Sequence, residues 1–287
     1  MKRTARHEDP ATVGFILQKI TRELESVSPT PRLDAEVLIK HIGGLDRHHL
    51  IANRRTLLTG SQLHRLEELF ARRKRGEPVA YLTGVREFWS MKLHVSAATL
   101  IPRPETELLV ETALLHIPQI AEWTVADLGT GCGAIALALA KERPQCRVLA
   151  TEISSAALRV AKSNADKYGM SNIEFREGDW FAPLDSMKFD MIVSNPPYVR
   201  AGDPHLELGD LRFEPRQALV AGPDGLAAIR HIIVHAGQYL EPDGWLMFEH
   251  GWDQADAIDA LLRQHGYFDI VCHQDLAGRD RVTECRR

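Results

Sequence analysis

Cysteine is scarce in this sequence, and its spacing excludes the usual roles of clustered cysteines. The four cysteines are Cys132, Cys146, Cys272 and Cys285, and none of them forms a C-x-x-C pair. Without such a pair or a neighbouring histidine pair, neither a disulfide framework nor a structural zinc site is expected. We therefore predict a protein of a reducing compartment that has no metal site.

Long apolar runs and an excess of basic charge are also missing. No stretch approaches the roughly 18 consecutive apolar residues of a membrane span, and the charged beginning lacks the apolar core of a signal peptide. The net charge is -4, which gives no overall basic footprint for nucleic acid. These features predict a cytoplasmic protein, which we expect to be a monomer, with no membrane association and no direct nucleic-acid binding.

The residue composition and apolar spacing of the 287-residue chain change twice along its length. Residues 1–76 have apolar residues at three- and four-residue spacing with short connections, which predicts a small helical bundle. Residues 77–103 are rich in β-branched and aromatic residues around Gly84 and Ser90, which predicts a hairpin-like connector. Residues 104–287 form the third and largest predicted region.

Strand-like and helix-like segments alternate from Trp123 onward. Apolar strands such as "TVADL" and "FDMIVS" are separated by amphipathic helices, and a short turn joins the final strands "FDIVCH" and "RVTECR". Repeated βαβ units predict an α/β fold of Rossmann-like type, with a mostly parallel sheet covered by helices on both faces. The final turn predicts an antiparallel edge at the C-terminal end of that sheet.

A glycine-rich segment, "ADLGTGCGA", follows the first strand of this region. Gly129, Gly131 and Gly133 permit a tight turn and close approach of a ligand because they lack a Cβ. The next strand ends at Glu152, at about the 20-residue spacing where an acid can accept hydrogen bonds from a ribose. The pattern predicts a nucleoside-binding half-site. It also satisfies the G-x-G-x-x-A form through Ala134, so a nicotinamide-dependent dehydrogenase stays an alternative.

The segment "SNPPYVR" ends a buried strand in an unusual way. Asn195 directly follows the strand and therefore lies at the carboxyl edge of the sheet, where ligands of open α/β folds bind. Pro196 and Pro197 fix φ and remove two backbone donors, which leaves carbonyl acceptors facing the site. The Asn195 side-chain oxygen and the Pro196 carbonyl can together receive both hydrogens of one NH2 group. Tyr198 supplies a flat face for stacking.

Such an acceptor corner suits methylation of a planar nitrogen. An amide or exocyclic amine nitrogen is a poor nucleophile and gains positive charge as it attacks a sulfonium methyl group. Preorganised acceptors stabilise that charge, and removing one group of this kind typically costs roughly 100- to 1000-fold in rate. A cofactor would carry the reactive methyl, and the protein would align the reacting atoms.

Longer sequence segments narrow the predicted class of methyltransferase further. The chain contains "REFWSMKLHVSAATLIPRPETELLVE", "GDWFAPL" and "DPHLELGDLRFEPRQALVAGPDGL", and it ends with "DRVTECR". With these segments it resembles the bacterial release-factor glutamine methyltransferases (the PrmC/HemK family) over essentially its whole length. The Asn-Pro-Pro-Tyr motif alone would equally fit adenine-N6 methyltransferases that act on DNA or RNA. The "EFW" and "IPRPETE" connector and the "FEP" loop favour the glutamine enzymes.

The resemblance implies a class I methyltransferase fold and a reaction. The methyl group of S-adenosylmethionine would pass to the side-chain amide nitrogen of the glutamine in the Gly-Gly-Gln motif of class 1 peptide chain release factors. The helical region 1–76 would help to grip the release factor. The connector and the loop from Val199 to Gly222 would shape the opening for the glutamine.

The same resemblance assigns roles to individual residues. Asn195, Pro196, Pro197 and Tyr198 would bind the glutamine, with Asn195, Pro196 and Tyr198 acting in catalysis. The predicted cofactor-binding residues are Gly129, Thr130, Gly131, Cys132, Gly133, Glu152, Trp180 and Asn195, with Glu152 on the ribose and Trp180 beside the adenine.

Two positions depart from the family pattern. Glu152 stands where the family more often has Asp, which changes the geometry toward the ribose by one methylene. Cys132 replaces a residue that is often Thr. Glu105, Thr106 and Glu107 are candidates for the border of the site, but helix-start chemistry explains them, and they are not included in the predicted site.

Overall fold

The computed structural model describes residues 9–45, 47–52 and 54–287. The chain divides into two compact units. One unit extends to Gly84 and includes the segment His205–Phe213, and the other comprises Val85–Pro204 and Glu214–Arg287. Each unit has a hydrophobic core of its own.

Five helices form the described part of the first unit, as the apolar spacing predicts. Thr12 caps the first helix by accepting a hydrogen bond from the Phe15 N–H, and Thr59 forms a reciprocal capping box with Gln62. The apolar faces meet in a cluster that includes Ile20 and Leu38. The helices are α1 (Val13–Leu24), α2 (Pro31–Gly43), α3 (Arg47–Ala52), α4 (Gly60–Lys74) and α5 (Val79–Thr83).

The connector region differs in part from the hairpin that the sequence predicts. Residues 79–83 form the short helix α5, because Pro78 occupies its N-cap and Gly84, at φ +70°, ends it with a bond to the Ala80 carbonyl. The hairpin itself is short, with β1 (Val85–Phe88) antiparallel to β2 (Met91–His94). Asn164 holds it in place by bonding the His94 N–H at 2.7 Å and the His94 carbonyl at 3.0 Å.

The described residues of the second unit form a seven-stranded sheet with the order β5-β4-β3-β6-β7-β9-β8. The first five strands in this order are parallel, and β9 runs antiparallel to both β7 and β8. The predicted fold class, with its antiparallel C-terminal edge, is therefore confirmed. The strands are β3 (Thr124–Leu128), β4 (Arg147–Glu152), β5 (Ile173–Glu177), β6 (Phe189–Ser194), β7 (Leu240–Glu249), β8 (Phe268–Gln274) and β9 (Asp280–Arg286).

Helices cover this sheet. Alternate residues such as Ala126, Ile192 and Phe248 pack into a core with two of the helices, α9 and α10. A turn of 3-10 helix at Pro104–Thr106 leads into α6, where the sequence predicts one helix from Pro104. None of the described helices combines the length and apolarity that crossing a bilayer needs. The helices are α6 (Glu107–His116), α7 (Ala134–Glu142), α8 (Ser155–Lys167), α9 (Ala227–Ala236) and α10 (Ala255–Gln264).

A buried ion pair fastens the helices of the first unit. The Arg73 Nε of α4 donates to the Asp34 carboxylate of α2 at 2.7 Å, and both side chains are less than a tenth exposed. The Arg73 Nη1 also donates to the Gly76 and Glu77 carbonyls and to Asp210. The guanidinium therefore joins two helices, the turn after α4 and the segment His205–Phe213.

We predict that Arg73→Met destabilises the first unit by about 3–5 kcal/mol, because it leaves the Asp34 carboxylate buried without its partner. Hydrogen exchange on peptides from α2 and α4, followed by mass spectrometry, measures this as faster exchange. Arg32→Met is the matched control, since Arg32 pairs with Glu36 but is 59% exposed, and its cost should stay below about 1 kcal/mol. Equal effects of the two substitutions would contradict the prediction.

Candidate active site

The glycine-rich loop connects the end of β3 to the start of α7. The backbone N–H groups of Gly129 and Thr130 both donate to the Thr151 carbonyl on β4 at 2.9 Å, which fixes the loop to the sheet edge. Gly131 and Gly133 adopt φ +59° and +88°, the left-handed region that favours glycine. A Cβ on Gly133 would lie 2.4 Å from Leu137 Cδ1, whereas one on Gly131 would meet nothing within 4 Å. Gly133 thus serves packing, and Gly131 leaves open space beside the loop.

Glu152 ends β4 and contacts the same loop. Its Oε2 accepts a hydrogen bond from the Gly131 N–H at 2.9 Å, and its Oε1 accepts one from the Ser154 N–H at 2.9 Å. A carboxylate has about four acceptor positions, so further acceptor capacity is left on Glu152. Glu152 therefore orders the glycine loop and keeps acceptor capacity at the cavity that it lines.

Asp127, the last but one residue of β3, lies beneath the loop with no exposure to solvent. Its Oδ2 accepts from Thr130 Oγ1 at 2.6 Å and from the Ala136 N–H at 3.2 Å. Among the described residues, none bonds its Oδ1. Burial raises the pKa of Asp127 to about 7, against these two hydrogen bonds, which lower it. The sequence assigns Asp127 no role, although it stands two residues before Gly129.

Asn195 lies directly after β6 and is held by two side chains from elsewhere in the chain. Its Nδ2 donates to Glu249 Oε2 at 3.0 Å and to Thr106 Oγ1 at 3.1 Å. The Tyr198 hydroxyl donates to Glu249 Oε1 at 3.0 Å. Burial raises the pKa of the Glu249 carboxyl, while hydrogen bonds from Thr106 and Tyr198 lower it. Both amide hydrogens of Asn195 are thus engaged, and its Oδ1 is the atom left to accept.

A cavity of about 930 Å³, counting its open mouth, lies at this edge of the sheet. It brings together residues from the glycine loop, from β4, from the segment after β5 and from the segment after β6. Trp180 adopts φ +45°, which is unusual for a bulky residue and turns the chain sharply at the cavity wall. The predicted residues that line the cavity are Gly129, Thr130, Gly131, Cys132, Glu152, Trp180, Asn195 and Pro197.

Three predicted site residues are not part of the cavity lining. Gly133 lies at the start of α7, where it packs against Leu137 and Ala161. Pro196 and Tyr198 follow Asn195 but do not line the cavity, and Tyr198 packs against the core cluster. The acceptor role of the Pro196 carbonyl and the stacking role of Tyr198 stay predictions. What the structure adds is the bond from Tyr198 to Glu249.

Sequence reasoning missed two residues of this network. Thr106 was attributed to the start of a helix, yet it lines the cavity and bonds both Asn195 and Glu249. Glu249 received no role. A usable signal was present, because a glutamate that ends the otherwise apolar strand "WLMFE" is placed at the same sheet edge as Asn195.

The connector and the "FEP" loop meet through one carboxylate. Glu214 is 3% exposed, and its Oε2 accepts from the Ile101 N–H at 3.0 Å. Its Oε1 pairs with the Arg103 guanidinium. The neighbouring residues Pro102 and Pro215 line the cavity. The "IPRP" and "FEP" motifs therefore build one wall together.

Two family models match the chain. Residues 104–214 match the methyltransferase small domain, and residues 16–84 match the PrmC N-terminal domain. The fold is also that of a solved methyltransferase from Pyrococcus furiosus, with a TM-score of 0.53 at 17% sequence identity, covering 79% of this chain and 98% of that one. The fold and the matched domain make this chain a methyltransferase of the Rossmann-like α/β class.

Curated relatives narrow the class to a family. The chain is 51% identical to the release factor glutamine methyltransferase of Salmonella typhimurium over 256 residues, which is 89% of this chain and 92% of that protein. It is 50% identical to the enzyme of the same name from Vibrio cholerae over 274 residues, 95% of this chain and 96% of that protein. The chain belongs to the release factor glutamine methyltransferase family.

We predict that Asp127 makes the stability of the second unit fall as the pH rises. Its pKa is about 7 in the folded chain against an ordinary 3.8, so the folded state binds this proton more tightly. The contribution is fully present below about pH 4 and is lost as the pH rises through 7, at up to about 1.4 kcal/mol per unit. Asp127→Asn cannot ionise and should remove this slope.

The test is urea unfolding followed by tryptophan fluorescence, since Trp89, Trp123, Trp180, Trp245 and Trp252 all belong to the second unit. Between pH 5 and pH 8 the free energy of unfolding of Asp127→Asn should gain up to about 3 kcal/mol relative to the wild type. Parallel pH profiles for the two proteins would show that Asp127 does not titrate in this range.

Proposed function

We propose that this chain transfers the methyl group of S-adenosylmethionine to the side-chain amide nitrogen of the glutamine in the Gly-Gly-Gln motif of class 1 peptide chain release factors. The names of the relatives support the substrate, since proteins about 50% identical over most of the chain are release factor glutamine methyltransferases. The observation that carries the chemistry is the orientation of Asn195, whose Oδ1 is left to accept at a cavity beside the glycine loop.

The residues around the cavity fit the cofactor. The loop from Gly129 to Gly133 would hold its polar part, with the open space beside Gly131 admitting close approach. Glu152 would accept from the ribose hydroxyls, and Trp180 would contact the adenine. When bound, the cofactor supplies an electrophilic methyl group on a sulfonium sulfur. The protein supplies the alignment.

The acceptor corner would bind and orient the amide group of the substrate. Asn195 Oδ1 and the Pro196 carbonyl would receive the two hydrogens of the glutamine NH2 and thereby point its nitrogen at the methyl group. These oxygens stabilise the positive charge that grows on the nitrogen during transfer. Formation of the nitrogen–methyl bond would break the sulfur–methyl bond and leave a neutral thioether. The nitrogen is strongly acidic while it carries the positive charge and would release one proton to solvent through the open mouth of the cavity, so no strong general base is needed.

The alternative, an adenine-N6 methyltransferase, uses the same corner on an exocyclic amine. The family to which the chain belongs does not favour it. We further propose that residues 1–76 recognise the release factor and that residues 104–287 carry out methyl transfer. Residues 77–103 would be the connector between these two regions. A monomeric state, a cytoplasmic location and the absence of nucleic-acid binding stay predictions.

The deciding experiment incubates the chain with labelled S-adenosylmethionine and a purified class 1 release factor. Mass spectrometry of the Gly-Gly-Gln peptide should show one added methyl group on glutamine. Parallel reactions with RNA and DNA should stay unlabelled. Label on adenine in place of glutamine would establish the alternative.

We predict that Asn195→Ala lowers kcat roughly 100- to 1000-fold, because it removes an acceptor aimed at the reacting nitrogen. Binding of S-adenosylmethionine should stay measurable by calorimetry, since Glu152 and the glycine loop remain. Turnover close to the wild-type value would exclude this role for Asn195.

For Glu152→Ala the expected pattern is reversed, with cofactor affinity reduced roughly tenfold or more through the loss of charge-assisted hydrogen bonds. Glu177→Ala is the matched control, because Glu177 ends the neighbouring strand β5 but is exposed and does not line the cavity. Calorimetric titration compares the two variants. Equal Kd values for both would mean that Glu152 does not contact the ribose.

A further inference from the structure

One buried carboxylate receives hydrogen bonds from three side chains at the acceptor corner. Glu249 is 1% exposed, and its Oε2 accepts from Thr106 Oγ1 at 2.7 Å and from Asn195 Nδ2 at 3.0 Å. Its Oε1 accepts from the Tyr198 hydroxyl at 3.0 Å. The three donors come from the turn before α6 and from the segment after β6. The proposed methyl transfer assigns no role to Glu249 itself.

These contacts determine which of the two Asn195 amide groups, Oδ1 or the Nδ2 NH2 group, faces Glu249. The oxygen and the NH2 group of an asparagine have nearly the same shape, so packing alone scarcely distinguishes the two orientations. A carboxylate only accepts, so it requires Nδ2 on its side. The Thr106 hydroxyl gives its own hydrogen to Glu249 and therefore accepts the second amide hydrogen. Both hydrogens are engaged away from Oδ1.

We propose that Glu249 is a positioning residue for methyl transfer: with Thr106, it holds the Asn195 amide so that Oδ1 accepts from the NH2 group of the substrate. This inference rests on the proposed function for its substrate. In the opposite orientation the Asn195 NH2 group would face the substrate NH2 group, two donors would meet, and the nitrogen would lose its stabilising acceptor.

The burial of Glu249 strengthens its hold on the three hydrogen-bond donors. Water cannot compete for a carboxylate with 1% exposure, so the three donors lose their alternative partners. The same burial makes an unpartnered acceptor costly, which locks the Asn195, Thr106 and Tyr198 side chains to Glu249. Burial raises the pKa of Glu249, and the hydrogen bonds from Thr106 and Tyr198 act against this rise by favouring the ionised carboxylate. The positive charge of Arg281 acts in the same direction as these bonds, whereas Glu105 adds to the rise.

The activity test compares Glu249→Met with Glu249→Gln. Methionine keeps the approximate length but removes the acceptor. Glutamine can direct Oε1 at Thr106 and Asn195 and donate Nε2 to the Tyr198 oxygen, so it preserves the orientation. We expect Glu249→Met to lower kcat roughly 10- to 100-fold with an unchanged Kd for S-adenosylmethionine, and Glu249→Gln to stay within a few-fold of the wild type.

Substitutions at Thr106 give a second pair of variants, whose kcat values do not depend on how a methionine side chain packs in the core. Thr106→Val removes the hydroxyl with little change in shape, whereas Thr106→Ser keeps it. The valine variant should lose kcat about tenfold, and the serine variant should rescue it. Equal kcat values within each pair would overturn the proposal. So would losses that follow only the drop in Tm, because a purely structural role predicts them.

A spectroscopic readout is independent of substrate and cofactor. The sequence has four asparagines, Asn53, Asn164, Asn172 and Asn195, so selective 15N labelling gives few side-chain amide signals, and Asn195→Asp identifies the one from Asn195. In the free wild-type protein the side-chain amide hydrogens of Asn195 should exchange slowly with water. They should exchange equally slowly in Glu249→Gln. In Glu249→Met it should shift and exchange fast.

The two readouts separate the possible failures. A wild-type protein that does not methylate the release factor, while its Asn195 signal still depends on Glu249, would refute the proposed function and leave the orienting contact standing. A wild-type protein that methylates glutamine, with an Asn195 signal and a kcat indifferent to Glu249→Met and Thr106→Val, would refute the positioning role alone.

Discussion

The hydrogen bond between Asn195 and Glu249 joins the ends of two neighbouring parallel strands, and the proposed chemistry of the cavity depends on that junction. Ser194 of β6 pairs with Phe248 of β7, so Asn195 and Glu249 are the next residues on each strand. Parallel pairing brings their carboxyl ends to one edge of the sheet. A slip of one residue in this register would turn Glu249 to the opposite face and break the contact.

The same edge carries two buried carboxyl groups, and each is stabilised in a different way. Asp127 accepts from one hydroxyl and one backbone N–H, and its pKa rises to about 7 because burial outweighs both bonds. Glu249 accepts from three side chains. Among the residues that the structure describes, the Asp127 carboxylate bonds groups of the glycine loop and of the helix that follows it. Glu249 instead joins the strand β7 to the turn before α6 and the segment after β6. Burial raises its pKa too, and the network of hydrogen bonds that acts against this rise also orders Asn195.

Sequence reasoning predicted the fold because the fold depends on local signals. The alternation of apolar strands and amphipathic helices indicates a parallel sheet, and strand ends locate the glycine loop, Glu152 and Asn195 at one edge. Gly129, Gly131, Glu152, Asn195 and Pro197 follow from this logic, whereas the prediction of Thr130, Cys132 and Trp180 rests on the family resemblance. The helical connector segment at Val79–Thr83 was missed, because Pro78 and Gly84 are also turn residues and favour either structure.

Long-range contacts explain the rest of what the sequence did not reveal. Thr106 and Glu249 are 143 residues apart, and their hydrogen bond depends on where α6 begins relative to β7. A threonine at a helix start has a sufficient local explanation, so nothing in the sequence points to a partner so far away. Tyr198 was assigned a stacking face, but its hydroxyl bond to Glu249 depends on the same tertiary arrangement.

In the proposed function the Asn195 corner selects an NH2 group, but it cannot by itself distinguish a glutamine side chain from an adenine. Both present two hydrogens on a planar nitrogen, and an Oδ1 fixed by Glu249 accepts from either. Discrimination must therefore come from the walls around the corner, where Thr99, Leu100 and Pro215 line the cavity. Glu214 fastens these walls to each other by bonding the Ile101 N–H and Arg103. The carboxylate of Glu249 orients the acceptor, and the carboxylate of Glu214 shapes the space through which a substrate reaches it.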